Sequence, residues 1–132
     1  MGRRELREHI FKMLFRIEFH KPEEMPEQFQ IYTDDLDMPE SDNYEYIRYK
    51  YDDVIDKLED IDAAINEAAK GWKTSRMGKV DLAIIRLAVY EIKYDDDVPT
   101  GVAINEAVEI AKQFGGNDSP VFINGILAKF AA

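Results

Sequence analysis

The sequence predicts an all-α protein, a compact bundle of six or seven helices. Three observations predict it. Apolar residues recur every three or four positions along most of the chain. Glycine and proline punctuate the ends of those runs. Strand alternation is almost absent, and there is no internal repeat or low-complexity tract.

The first run, residues 3–19, places Leu6, Ile10, Met13, Leu14 and Ile17 on one stripe. A helix with such a stripe turns it to a core. Arg3, Arg4, Arg7, Lys12 and Arg16 lie mostly off it. Residues 21–43 hold Pro22, Pro26 and Pro39, and read as loop with at most a short helix between Pro26 and Leu36. Over residues 44–70, Ile47, Tyr51, Val54, Ile55, Leu58, Ile61 and Ile65 keep helical spacing. The run is long, and a break near residues 59–62 divides it into two helices. Gly71 reads as a C-terminal cap and Ser75 as the N-cap of the next helix.

Residues 80–94 (VDLAIIRLAVYEIKY) are apolar on nearly every face. Such a helix belongs in the centre of a bundle. Asp95-Asp96-Asp97-Val98-Pro99 stops it, and Thr100 opens the next helix. Ala103, Ala107, Ile110, Ala111 and Phe114 line that helix's inner face, and Gly115-Gly116 ends it. Ser119-Pro120 reads as an N-cap with proline at the first helical position, opening a last helix to Ala131.

A chain of 132 residues fits a single domain, 1–132, with a core of its own. It has no cysteine, so disulfides and thiolate zinc sites are excluded and a reducing cytoplasm is expected. No apolar run follows the first arginines as in a secretion signal, and none approaches the roughly 18 apolar residues of a membrane span. The formal net charge is −10, which disfavours self-association and predicts a monomer. That charge is segregated. Residues 1–21 carry six Lys/Arg against three Asp/Glu, residues 22–69 three against sixteen, and residues 70–132 eight against eight. Base at one end and acid in the middle imply a division of labour, or an acidic face that is merely solvated.

Enzyme chemistry finds no support. His9 and His20 are the only histidines, and a spacing of eleven fits no compact metal motif. There is no glycine-rich phosphate loop and no G-x-S-x-G, and the DDLD and DDD runs lack a calcium-loop pattern. No catalytic residue, metal or cofactor is expected.

Arg3, Arg4 and Arg7 sit within a helical turn of one another, so their guanidinium groups either follow a phosphate backbone or form a solvated face with pairs such as Arg4–Glu8. Arg86 lies inside the nearly all-apolar helix and needs a carboxylate, which Glu106 or Glu91 supplies. With Asn105, these residues read as a structural clamp between the two central helices. The turn Gly115–Ser119 offers Asn117, Asp118 and Ser119 to base edges, or caps the last helix. Lys112 and Gln113 precede it on the exposed side as phosphate partners. Phe114 and Phe122 flank it, as ring surface for bases or as ordinary core.

The second half carries a family resemblance. Trp72 is followed by RMGKVDLAIIRLAVYEI (76–92) and VPTGVAINEAVEIAKQFGGNDSPVFINGIL (98–127). An apolar helix ending in YE, a VP break, AINEAVEIAK and a terminal F-x-NG-x-L resemble the NusB family in order and spacing. The start, RRELREHIFKMLF, looks like a thinned version of that family's arginine-rich first helix. The resemblance implies two small helical sub-bundles, no catalysis and no cofactor. It implies binding of box A RNA together with NusE, also a small-subunit ribosomal protein, to promote read-through by RNA polymerase with other Nus factors. With the residues read above, the expected RNA surface is Arg3, Arg4, Arg7, Lys12, Phe15, Arg16, Lys112, Gln113, Phe114, Asn117, Asp118, Ser119 and Phe122. Phe15 stands where relatives often carry a tyrosine facing RNA. Asp81, with Arg76 nearby, stands where relatives face NusE.

Two departures bear on this transfer. Glu5 and Glu8 interrupt the basic start, and the middle segment is unusually acidic. RNA affinity is therefore expected mainly with NusE present. Two alternatives compete. Some ribosomal RNA cytosine methyltransferases carry a NusB-like amino-terminal domain, but this chain stops at Ala132 without a methyltransferase domain. The other is an acidic helical interaction module without RNA binding, which gains if Arg3, Arg4, Arg7 and Arg16 are all paired with carboxylates.

Overall fold

A computed structural model describes residues 1–36 and 42–131. Pro39, part of the expected loop, lies outside the described residues. Among the described residues there are seven α-helices and no strand. They are α1 (Arg3–Arg16), α2 (Met25–Asp35), α3 (Asp42–Asp56), α4 (Leu58–Ala68), α5 (Lys79–Tyr94), α6 (Thr100–Phe114) and α7 (Ser119–Leu127). The chain forms two compact units, Met1–Ile55 and Asp56–Ala132. No helix among the described residues is long and apolar enough to cross a membrane.

In the first unit, α1 buries Leu6, Ile10, Met13 and Leu14 as its stripe requires. The buried arc is wider than the stripe. It includes Phe11, His9 and Arg7, the last only 7% exposed. Arg7 precedes Ile10 and Phe11 by three and four positions, which puts it on their side of the helix. The expectation that Arg7 stands off the apolar face is corrected accordingly.

The short helix expected between Pro26 and Leu36 is α2, Met25–Asp35. Pro26 sits in its first turn, where a missing N–H costs no hydrogen bond. Phe29 of α2 meets the rings of Tyr44 and Tyr51 on α3, at 5.9 and 5.3 Å between centroids. Tyr32 of α2 reaches His9 of α1, with hydroxyl and Nδ1 2.7 Å apart.

In the second unit, α5 packs against α4, α6 and α7. Every residue from Leu82 to Glu91 is buried, as expected of a helix apolar on all sides. Arg86 is in that run. Its carboxylate is Asp62 of α4, bound through Nε to Oδ1 and Nη2 to Oδ2, both at 2.8 Å. Sequence reasoning looked for this partner on the central helices and did not name Asp62. The expected clamp residues separate by burial. Glu91 is 1% exposed, Glu106 is half-buried, and Asn105 faces solvent.

The helix ends follow local chemistry. The break between α3 and α4 falls at Lys57, slightly before the expected place. Ala69, not Gly71, is the C-cap of α4; Gly71 takes φ +95°, a conformation that favours glycine, in the turn that follows. Ser75 does not cap α5. It lies in a single 3-10 turn, Thr74–Arg76, and Gly78 precedes α5 without a side-chain cap. Ser119 is the first residue of α7, and Asp118 takes the N-cap position. α7 gives way after Leu127 to a 3-10 turn, Ala128–Phe130. Lys129 Nζ donates to the Ala68 carbonyl at the end of α4, at 2.8 Å.

Two outcomes follow from these interactions. Asp62→Ala removes the two-point carboxylate bond from a guanidinium whose side chain is 8% exposed, and should cost about 3 kcal/mol in urea unfolding. His9 is pushed below its ordinary value of 6.5, by burial first and the Lys12 ammonium second. A depressed imidazole contributes stability that is whole above pH 6.5 and is lost as the pH falls below it. Stability measured from pH 7.5 down to 5 should therefore drop by at most about 1.4 kcal/mol per pH unit from this group, and His9→Gln should remove that part of the slope.

Candidate nucleic-acid interface

In the first unit, α1 presents the basic candidates in graded exposure. Arg3 and Arg4 open the helix and are exposed, while Lys12 and Arg16 are half-buried. Arg16 is held in place by neutral groups. Its Nη1 donates to Gln28 Oε1 at 3.2 Å, and its guanidinium lies 5.0 Å from the Tyr32 ring centroid. That stack fixes the plane of a planar cation at modest energy. Burial pushes the Tyr32 phenol up to about 12, so the ring beneath Arg16 stays neutral at physiological pH.

Phe15 is half-buried and packs edge-to-face on Phe19, with centroids 5.0 Å apart and planes at 62°. Phe19 is 56% exposed. It follows Phe15 by four positions, which carries the aromatic surface beyond the end of α1. Sequence reasoning left Phe19 without a role, although an aromatic four residues after Phe15 was visible in the chain.

In the second unit, the turn between α6 and α7 holds the other candidates. Lys112 and Gln113 are exposed, and Lys112 pairs with Glu109 at 3.3 Å. Phe114 is half-buried. Asn117 and Asp118 face solvent, whereas Ser119 is buried and its Oγ accepts from the Gly116 N–H at 3.0 Å. Ser119 thus shapes the turn and offers little of itself to a ligand. Phe122 stands edge-on to Trp72, with centroids 5.5 Å apart and planes at 73°.

Asn117, Asp118 and Phe122 share one open cavity of about 450 Å³ with Trp72, Arg76 and Asp81. Two sets of candidates, one expected to face RNA and one expected to face a protein, therefore line the same hollow. Trp72 is 56% exposed and forms one of its walls. It is the chain's lone tryptophan, yet sequence reasoning gave it no part in the site. Its position depends on the left-handed turn at Gly71 and so on tertiary geometry.

The cavity mixes aromatic faces, an arginine and two carboxylates. Aromatic faces suit stacking against bases or apolar side chains. Asp81 and Asp118 accept hydrogen bonds from amines and repel phosphates.

An all-helical protein with an exposed basic helix start and an aromatic-walled turn pocket is a binding protein in its architecture. Its sequence matches the NusB family over residues 4–132, and the chain belongs to that family. The "Transcription antitermination protein NusB" of Agathobacter rectalis is 54% identical over 131 residues, covering 99% of this chain and all of the relative. The solved structure of T. maritima NusB superimposes with a TM-score of 0.86 at 34% identity, covering 99% of this chain and 91% of that one. A crystal structure of the antitermination factors NusB and NusE with double-stranded RNA shares the fold, at TM-score 0.82 and 24% identity, covering 97% and 94%.

Gly115 offers a direct test of the turn. A Cβ there would stand 2.6 Å from the Ser119 Cβ and 2.9 Å from the Ala111 carbonyl. Gly115→Ala must displace the first turn of α7, and should lower stability by about 1–3 kcal/mol in thermal or urea unfolding. Gly101→Ala, where a Cβ meets nothing within 4 Å, serves as the harmless control.

Proposed function

We propose that this chain is a bacterial transcription antitermination factor. It binds box A RNA of nascent ribosomal transcripts together with NusE and promotes processive transcription. It acts in the cytoplasm, without catalysis or a cofactor, as a single RNA-binding domain over residues 1–132. The geometric observation that carries this is the start of α1. In a chain of net charge −10, Arg3 and Arg4 stay exposed there, with the Phe15–Phe19 ring pair further along the same segment. Cations for phosphates and rings for bases are what single-stranded RNA requires. The near full-length likeness to an antitermination protein supports the same reading.

Roles divide by exposure. Arg3 and Arg4 hold phosphates, with Lys12, Arg16, Lys112 and Gln113 as further backbone partners. Phe15, Phe114 and Phe122 provide ring surface, while Asn117 and Asp118 meet base edges. Arg7 and Ser119 are buried, and they act by holding α1 and the α6–α7 turn in shape. Asp81 and Arg76 face NusE. The competing idea of an acidic module without RNA binding gains if Arg3, Arg4, Arg7 and Arg16 are all paired with carboxylates. Arg16 is held instead by the amide of Gln28 and the ring of Tyr32.

Fluorescence anisotropy of labelled box A RNA tests the proposal, titrated with this protein, with its cognate NusE, and with both, at two salt concentrations. Binding should be tight and sequence-dependent chiefly with both proteins. An Arg3→Ala/Arg4→Ala variant should weaken it and flatten the log K against log salt slope by about 0.7 per lost contact. Equal binding to a scrambled box A, or none in any combination, would sink the antitermination reading.

A further inference from the structure

The first unit holds a second hollow, away from the basic residues of α1 in sequence and opposite in charge. Pro22, Met25, Pro26, Phe29, Tyr51 and Ile55 form its apolar wall, and the cavity measures about 220 Å³. That is below the roughly 300–1,000 Å³ of small-molecule sites and suits one or two inserted side chains. Arg48 and Asp52 stand at the same hollow. They pair with each other at 3.7 Å, and Arg48 is further held by the Tyr44 hydroxyl at 3.1 Å and by the Phe29 ring.

The surroundings are acidic. Residues 22–36 carry five Asp/Glu and no Lys/Arg, and residues 42–56 carry five against two. Of those two cations, Lys50 is buried and Arg48 is paired. Glu23, Glu24 and Glu27 are exposed on the same short stretch that supplies Pro22, Met25 and Pro26 to the wall. RNA phosphates are repelled from such a rim, whereas cations are drawn to it.

From this apolar hollow and its acidic rim, we propose that the α2–α3 pocket is a docking site for a basic protein segment. One apolar side chain enters the pocket as an anchor, and flanking lysines or arginines meet Glu23, Glu27 and Asp52. The site is separate from the RNA-binding role and does not depend on it. Electrostatic attraction brings the segment in, and the anchor supplies the discrimination.

The test uses the full chain labelled with 15N and three short fluorescein-tagged peptides, Lys-Lys-Leu-Lys-Lys, Lys-Lys-Ser-Lys-Lys and Glu-Glu-Leu-Glu-Glu. The leucine peptide should shift the amide signals of Phe29, Tyr51 and Ile55. The serine peptide should bind at least about tenfold more weakly, the value of burying one leucine side chain. The acidic peptide should not bind. Ile55→Ser and Glu23→Lys/Glu27→Lys, all at exposed positions, should each weaken the leucine peptide several-fold. Their circular dichroism and box A affinity should stay unchanged. Equal binding of the leucine and serine peptides would reduce the effect to diffuse charge attraction and overturn the proposal. So would shifts elsewhere in the chain, or variants that bind as well as the parent. RNA that shifts the same pocket signals would also overturn it, by replacing the occupant.

Discussion

The burial of α5 on every side governs the second unit. Ten consecutive residues, Leu82 to Glu91, are withdrawn from solvent. Such a helix is stable only if neighbours cover all its faces, and α4, α6 and α7 do so. The same burial makes Arg86 a hazard, because a guanidinium taken out of water needs its charge and donors met. Asp62 of α4 meets the charge and two of the donors with a two-point bond. One ion pair thereby ties the central helix to a neighbour. The α6–α7 turn and the start of α5 meet at one hollow because both helices that frame them pack on this buried core.

The first unit uses a different device. Its core is rich in rings, with Phe29, Tyr32, Tyr44 and Tyr51 all buried. Ring pairs of this kind prefer edge contacts at the distances seen here. They hold α2 and α3 together although the segment around α2 carries two prolines and strong negative charge. The polar members are part of the packing. His9 bonds Tyr32, and Arg16 lies on the same ring. A single tyrosine therefore serves both the inside of the unit and the cation that leads toward its surface.

Much of the fold was legible in the sequence, because burial writes a strong period. α5 and α6 fall within a residue of their expected starts, and the Gly115 end of α6 was expected from glycine, whereas α4 is capped at Ala69, two residues before Gly71. What escaped was set by contacts distant in sequence. α2 lies where a short helix was expected between Pro26 and Leu36, with Pro26 harmless in its first turn, but the 3-10 turn Pro22–Glu24 before it was not foreseen. Arg7 looked exposed by residue type, but the width of the buried arc includes it. Asp62 could not be chosen as the partner of Arg86 from sequence spacing, since 24 residues separate them. The candidate site was legible as residue types, whereas the sharing of one cavity by Trp72, Asp81 and Phe122 depends on a chain reversal at Gly71.

The α6–α7 turn has little room to move. Gly115 sits hard against Ser119, and the Gly116 N–H is already bonded to the Ser119 hydroxyl. A loop so confined in the free protein has little disorder left to surrender when a partner arrives. Ordering costs that weaken many loop-borne interfaces are therefore small here. A partner docking on a turn of this kind meets a preformed shape, and the heat signature of such docking is that of rigid association rather than of folding upon contact.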